Sequence, residues 1–241
     1  MSESLQIEEP AGGWREPWPR VFEIAGALPF ERWALVGGLM VQTHALAAQI
    51  ETTRVTLDVD ATVRIEAGIF TYAEAAAALI QLGYALDRST RLAYRFTRGP
   101  DVVDLMVADH ERPPPRHARR EVMPVTGGKQ ALDRIQLATF RSGRAQVEVP
   151  VPNLHGALVL KAAAHLADSR DRSRHLLDAV TLLACIVDGG AIIEQLRGSD
   201  RSRLRHLVHA LDEYPLVVAQ APSDTVALAR HTLDELRAGG L

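Results

Sequence analysis

The sequence predicts an α+β fold: a mixed sheet with helices up to residue 152, then helices alone to residue 241. Two observations carry this. Extended, β-branched runs with turn residues between them fall only in the first part, at 33–36, 54–65, 92–108 and 146–152. After Asn153 the apolar positions recur at helical spacing, and no extended run appears. At 241 residues the chain can form one large domain or two small ones, and 47% hydrophobic residues suffice for a well-buried core.

Residues 1–18, acidic and punctuated by Pro and Gly, are expected to form a flexible arm, with Trp14 and Trp18 available to pin it to the body. A short helix is expected over 20–27 and a short strand over 33–36, running into Gly37-Gly38; a helix then covers 39–50. In the strand 54–65, Val55, Leu57, Val59, Ala61 and Val63 fall on one face, and Asp58 and Asp60 on the other. Thr71 and Glu74 have the spacing of a capping box, and Gly83 is a good helix stop, so 72–82 is a helix. LAYRFTR, a Gly99-Pro100 turn and DVVDLMVA read as a β-hairpin with Asp104 inside its second strand. Three prolines make 111–120 a loop, one that also carries four arginines and His117. Residues 130–139 fit either a short helix or a strand start, and 146–152 is a strand. Asn153 is a plausible N-cap for a helix over 154–167, and further helices are expected at 174–187, 191–197, 200–212 and 223–237. The units expected are therefore an arm (1–18), an α/β domain (19–152) and a helical bundle (153–241).

The formal net charge of -3 excludes a globally basic nucleic-acid coat, though a local basic face stays open. The single cysteine, Cys185, lies in an apolar helical pattern and reads as a buried thiol. With no partner for a disulfide, no apolar leader at the start and no long apolar run, the expectation is a cytoplasmic chain without a membrane span. HExxH, Cys/His zinc spacing, GxSxG and the Walker A pattern are all missing.

The chemistry concentrates between Leu35 and Asp60. Asp58 and Asp60 project to one side of a strand, a spacing suited to sharing hard divalent cations beside phosphates. Gly37 and Gly38 lack a β-carbon and let backbone approach a phosphate closely, and the helix that follows aims its N-terminal amides at that anion. This order of Gly-Gly, helix and Arg54-x-Thr56-x-Asp58-x-Asp60 resembles the nucleotidyltransferase (polymerase-β-like) superfamily. More narrowly it resembles the AbiEii/MenT-type nucleotidyltransferases of bacterial toxin–antitoxin systems, over roughly residues 33–185.

The resemblance implies an N-terminal nucleotidyltransferase domain, with Mg²⁺ or Mn²⁺ held by Asp58, Asp60 and Asp104, and an NTP as substrate. Asp104 would also serve as base for the acceptor hydroxyl; on its own it reads equally as a strand residue on a solvated face. Arg54 would pair with the carboxylates or touch phosphate, against the plainer reading of an exposed arginine at a strand start. Thr56 is either a hydroxyl near the metal site or a β-former. Lys161, in an apolar helical run, lies on an exposed stripe or reaches a nucleotide phosphate. Asp178 would orient Lys161 or support the metal site, while His175 stands where the family carries a further acid. The family's acceptor is RNA, in particular tRNA, and a separately encoded antitoxin is an expected partner. The Arg-rich loop and the helix around 197–209 are candidates for RNA phosphate contacts. Two alternatives remain: a nucleotidyltransferase for aminoglycoside-like small molecules, and a degenerate, non-catalytic binding module.

Overall fold

The computed structural model describes residues 4–52, 56–65, 69–111 and 113–241. In chain order the first elements are β1 (Leu5–Glu8), α1 (Trp18–Ala27), a 3-10 turn (Phe30–Arg32), β2 (Trp33–Leu35), α2 (Gly37–Ala48) and β3 (Val59–Val63). Next come α3 (Tyr72–Gln81), β4 (Ala85–Leu86), β5 (Arg95–Arg98), β6 (Asp101–Ala108), β7 (Arg116–His117), β8 (Arg120–Glu121) and β9 (Pro124–Val125). The α/β part closes with α4 (Gly128–Leu132), β10 (Ile135–Ser142) and β11 (Ala145–Pro152). Helices α5 (Leu154–Ala167), α6 (Ser173–Ala184), α7 (Gly189–Glu194), α8 (Asp200–Glu213), α9 (Pro215–Val218) and α10 (Ser223–Ala238) follow. The α+β composition matches the expectation, and none of the described helices is long and apolar enough to cross a membrane.

The larger sheet has the order β2-β3-β6-β5-β4, with β9 added beside β6. It is mixed: β3 and β6 are parallel, while β2 and β5 run antiparallel to their neighbours. Strand alternation gives the sheet two unlike faces. Val59, Ala61 and Val63 of β3 and Val103, Leu105 and Val107 of β6 are buried with Val21 and Ile24 of α1 and Ala75, Ala76 and Leu79 of α3. The opposite face carries Asp60, Asp104 and Met106, and Met106 packs on the cluster formed by α2, α5, α6, α8 and α10. A buried valine is worth about 1.5–3 kcal/mol, so a one-residue slip of β3 would expose its valines and drive Asp60 into the core. The apolar pattern therefore fixes which face the carboxylates take.

Several boundaries follow local chemistry. Thr71 and Glu74 close a reciprocal capping box on α3, and Asn153 caps α5 by accepting the Gly156 N–H at 3.0 Å. Other segments differ from the sequence reading. Residues 5–8, expected in a flexible arm, form β1 parallel to β10, with Ile7 buried. Edge strand β10 offers unpaired backbone groups there, and Trp14, Trp18, Phe22 and Phe140 build an aromatic cluster beside it. Residues 130–139 split into the end of α4 and the start of β10. Beyond its prolines the Arg-rich loop folds into the two-residue ladder β7–β8, turned by Ala118 and Arg119 at φ 47° and 65°. β3 covers only Val59–Val63 of the expected strand, paired with β2 as far as Ala61 and with β6 as far as Val59. Arg54 lies outside the described residues.

His44 of α2 is buried, and its Nε2–H donates to the Pro152 carbonyl at 2.8 Å, tying α2 to the end of β11. Burial pushes its pKa down from 6.5 to about 4. The unfolded chain takes up this proton near 6.5 and the folded chain only near 4, so the stability from neutral His44 is lost as pH falls through that window. Urea unfolding should show a loss on the order of 2 kcal/mol from this group between pH 7 and pH 5. In His44→Gln that pH dependence should flatten.

Candidate active site

Parallel pairing sets Asp60 beside Asp104 in register, on the face that looks toward the helical half. Asp58 sits at the bend just before β3, on the same side and half-exposed. Asp60 is held at both ends of its residue. Its carbonyl accepts the Val36 N–H at 2.9 Å, and its carboxylate presses on Gly37, the first residue of α2. Gly37 has φ +68°, and a β-carbon there would fall 1.9 Å from Asp60 Oδ2. Only glycine fits this approach. Val36 supplies no side-chain cap, so the positive end of α2 faces the Asp60 anion, a favourable pairing. Gly38 is buried behind it.

Three carboxylates this close repel one another, and Arg95 brings a cation to two of them. Its Nε donates to Asp104 Oδ1 at 2.8 Å and its Nη2 to Oδ2 at 2.7 Å, a bidentate fork. The same Nη2 lies 3.9 Å from Asp58 Oδ2. Burial pushes the Asp104 carboxyl above its ordinary range; Arg95 pulls it down and Asp58 pushes it up, but burial is the largest influence. The sequence reading missed Arg95, although the tight turn carried the signal. The turn pairs Arg98 with Asp101, and counting three residues along each strand puts Arg95 opposite Asp104.

A second ionic group supports the site from behind. Arg20 of α1 is buried; its Nη1 donates to the Leu57 carbonyl at 3.1 Å and its Nε to Glu16 at 2.7 Å. It also lies 3.4 Å from Asp101, which Arg98 contacts at 3.3 Å. Arg20 thus anchors the residue before Asp58 to the start of β6. Thr56, two residues before Asp58, is half-buried.

Lys161 and Asp178 meet each other. Lys161 Nζ donates to Asp178 Oδ2 at 2.6 Å between α5 and α6, and both are buried. His175, one turn before Asp178, contacts Asp168 Oδ2 at 3.2 Å, and Arg174 reaches the same oxygen at 2.7 Å. Burial, then Lys161 and Arg174, push the His175 pKa down to about 4, so it is neutral at pH 7. In the Arg-rich segment, Arg120 Nη1 donates to the carbonyls of Asp87 and Thr90 at 3.0 and 2.6 Å. That bond joins two exposed basic stretches, Arg88 with Arg91 and Arg116 with Arg119. Gly127 caps the short helix α4, which Gly128 and Lys129 open. Cys185 is buried, and its thiol is pushed up to about 12.

The donor set of Asp58, Asp60 and Asp104 is all hard oxygen, which suits Mg²⁺ or Mn²⁺. As the side chains stand, no three Asp, Glu, His or Cys residues among those described are grouped to hold a metal ion. Arg95 takes both oxygens of Asp104.

No protein-family model matches the chain, and no curated protein does. The structure is similar to the crystal structure of an antigenic nucleotidyltransferase-like protein from Paracoccidioides brasiliensis. The match has a TM-score of 0.53 at 15% sequence identity and covers 83% of this chain and 90% of that one. The chain therefore shares the fold of a nucleotidyltransferase-like protein.

Two outcomes are expected. Gly37→Ala should displace the Asp60 carboxylate and lower stability by at least about 1 kcal/mol from the positive φ alone, read as a drop in Tm. Lys161→Ala should lower stability, by about 3–5 kcal/mol, by taking from buried Asp178 the lysine bonded to it, and the apolar pair Lys161→Met with Asp178→Leu should recover part of it. Urea unfolding of the three proteins checks the second expectation.

Proposed function

We infer that this chain is a nucleotidyltransferase that moves a nucleoside monophosphate from an NTP to an acceptor hydroxyl. One observation carries the inference: Asp60 and Asp104 stand in register on neighbouring strands, with Asp58 on the same side and Gly37 pressed against Asp60. The shared fold with a nucleotidyltransferase-like protein agrees with it.

In the reaction the acceptor oxygen forms a bond to the α-phosphorus, and the bond from that phosphorus to the pyrophosphate oxygen breaks. Pyrophosphate leaves, and the hydroxyl proton passes to a carboxylate. Asp104 is suited to take that proton, since burial raises its pKa. Asp58, Asp60 and Asp104 are the residues that would hold Mg²⁺ or Mn²⁺, which when bound neutralises charge on the phosphates. Gly37 and Gly38 let the phosphates approach the start of α2, and Arg54 and Thr56 are the further residues assigned to nucleotide binding. Lys161, oriented by Asp178, is assigned to phosphate contact.

RNA is the acceptor we favour, with tRNA first, as the substrate of a toxin neutralised by a separate antitoxin. Support comes from the basic surface that Arg120 assembles from Arg88, Arg91, Arg116 and Arg119, which leads along the chain into Arg95. A second reading, a non-catalytic binding module, is favoured by the Arg95 clamp on Asp104 and by neutral His175 in place of an acid.

The test is incorporation of label from each NTP in turn into total tRNA with Mg²⁺ present. Wild type should label tRNA, and Asp58→Ala should fall by about 1000-fold or more, roughly 4 kcal/mol of transition-state stabilisation. No label from any NTP in tRNA or in aminoglycoside-like acceptors would leave the binding-module reading.

A further inference from the structure

We propose that Arg95 is a built-in counter-cation that governs metal loading of the carboxylate site: its guanidinium holds Asp104 in the metal-free protein and gives way when a divalent ion enters. This inference rests on the nucleotidyltransferase reading and concerns regulation of the same site.

The geometry supports an exchange rather than a fixed structural pair. Arg95 spans two of the three carboxylates, bidentate on Asp104 and 3.9 Å from Asp58. Asp104 is 7% exposed, so the oxygens that a cation could reach from solvent are those the guanidinium covers. Arg95 is different: 35% of its side chain is exposed, and the two hydrogen bonds its guanidinium makes among the described residues both go to Asp104. The side chain is therefore free to leave while the backbone of β5 stays paired. Tyr94, whose ring centroid lies 5.5 Å from the guanidinium carbon, offers a cation–π contact at the rim. Arg98 makes the contrast. It is bonded to Glu23, Asp101 and the Leu82 carbonyl and lies over Tyr84, so it is fixed on several sides.

An arginine that competes with the metal weakens metal binding in proportion to its hold on Asp104. It also keeps Asp104 from standing buried and unpaired when metal is scarce, which would be strongly destabilising.

Mn²⁺ binding, read by electron paramagnetic resonance without turnover, tests this on wild type, Arg95→Met, Arg95→Lys and Arg95→Met with Asp58→Asn. Arg95→Met should bind Mn²⁺ about tenfold tighter or more than wild type, the low end of coupling between close charge pairs. Arg95→Lys, a point charge without the fork, should fall between, and Asp58→Asn should cancel the gain. In thermal melts, Mn²⁺ should raise the Tm of Arg95→Met more than that of wild type, whereas equal ionic strength of NaCl should not. Mn²⁺ binding to Arg95→Met no tighter than to wild type, or a gain that survives Asp58→Asn, overturns the proposal. Should Arg95→Met fail to fold, Arg95→Lys decides alone: affinity equal to wild type overturns it. The labelling assay separates the two readings, since tRNA labelled by wild type alongside unchanged Mn²⁺ affinity removes only the role of Arg95.

Discussion

Asp60 and Asp104 are like charges on adjacent parallel strands, and a fold that places them side by side has to compensate the repulsion. Three devices do so here. The start of α2 faces Asp60 across Gly37, Arg95 forks onto Asp104 from the next strand, and the half-exposed Asp58 keeps contact with water. Each depends on a strand register: β2 with β3 brings Gly37 to Asp60, β5 with β6 brings Arg95 to Asp104, and β3 with β6 sets the two carboxylates side by side. Shift β3 by one residue and Asp60 leaves this face, while the valines of β3 lose their buried face. The apolar side of the sheet thus specifies the polar side.

The compensations are graded by burial. Arg95 and Asp58 remain partly open to solvent, where a charge can be exchanged at modest cost. Lys161 and Asp178 are shut between α5 and α6, where separating them leaves a buried charge. Arg20 stands between these extremes, buried itself but bonded to a half-exposed Glu16 and to the Leu57 carbonyl. The same ionic vocabulary therefore serves an adjustable site at the sheet face and fixed connections around it.

Much of the site was legible because it is local. The i, i+2 spacing of Asp58 and Asp60, the Gly-Gly turn, the capping box at Thr71 and the hairpin at Gly99-Pro100 each involve residues a few positions apart. The hairpin even encoded Arg95, since a tight turn fixes every cross-strand partner by counting. Less visible was β1, whose pairing with β10 spans more than 130 residues and follows from an edge that exists only once β10 and β11 have folded. The α4–β10 boundary was hidden for a similar reason: ALDRIQLATF fits both states, and packing on α5 and pairing with β11 select between them.

The sequence by itself determined the α+β order of elements, the shared face of Asp58 and Asp60 and the Gly-Gly start of α2. These follow from backbone geometry and from spacings of a few residues. Tertiary structure alone decided that Asp104 stands beside Asp60 rather than beside another strand, that Lys161 meets Asp178, and that Arg20 reaches Leu57. Strand order and helix packing are settled by burying apolar surface over the whole chain, and no short stretch of sequence contains that information.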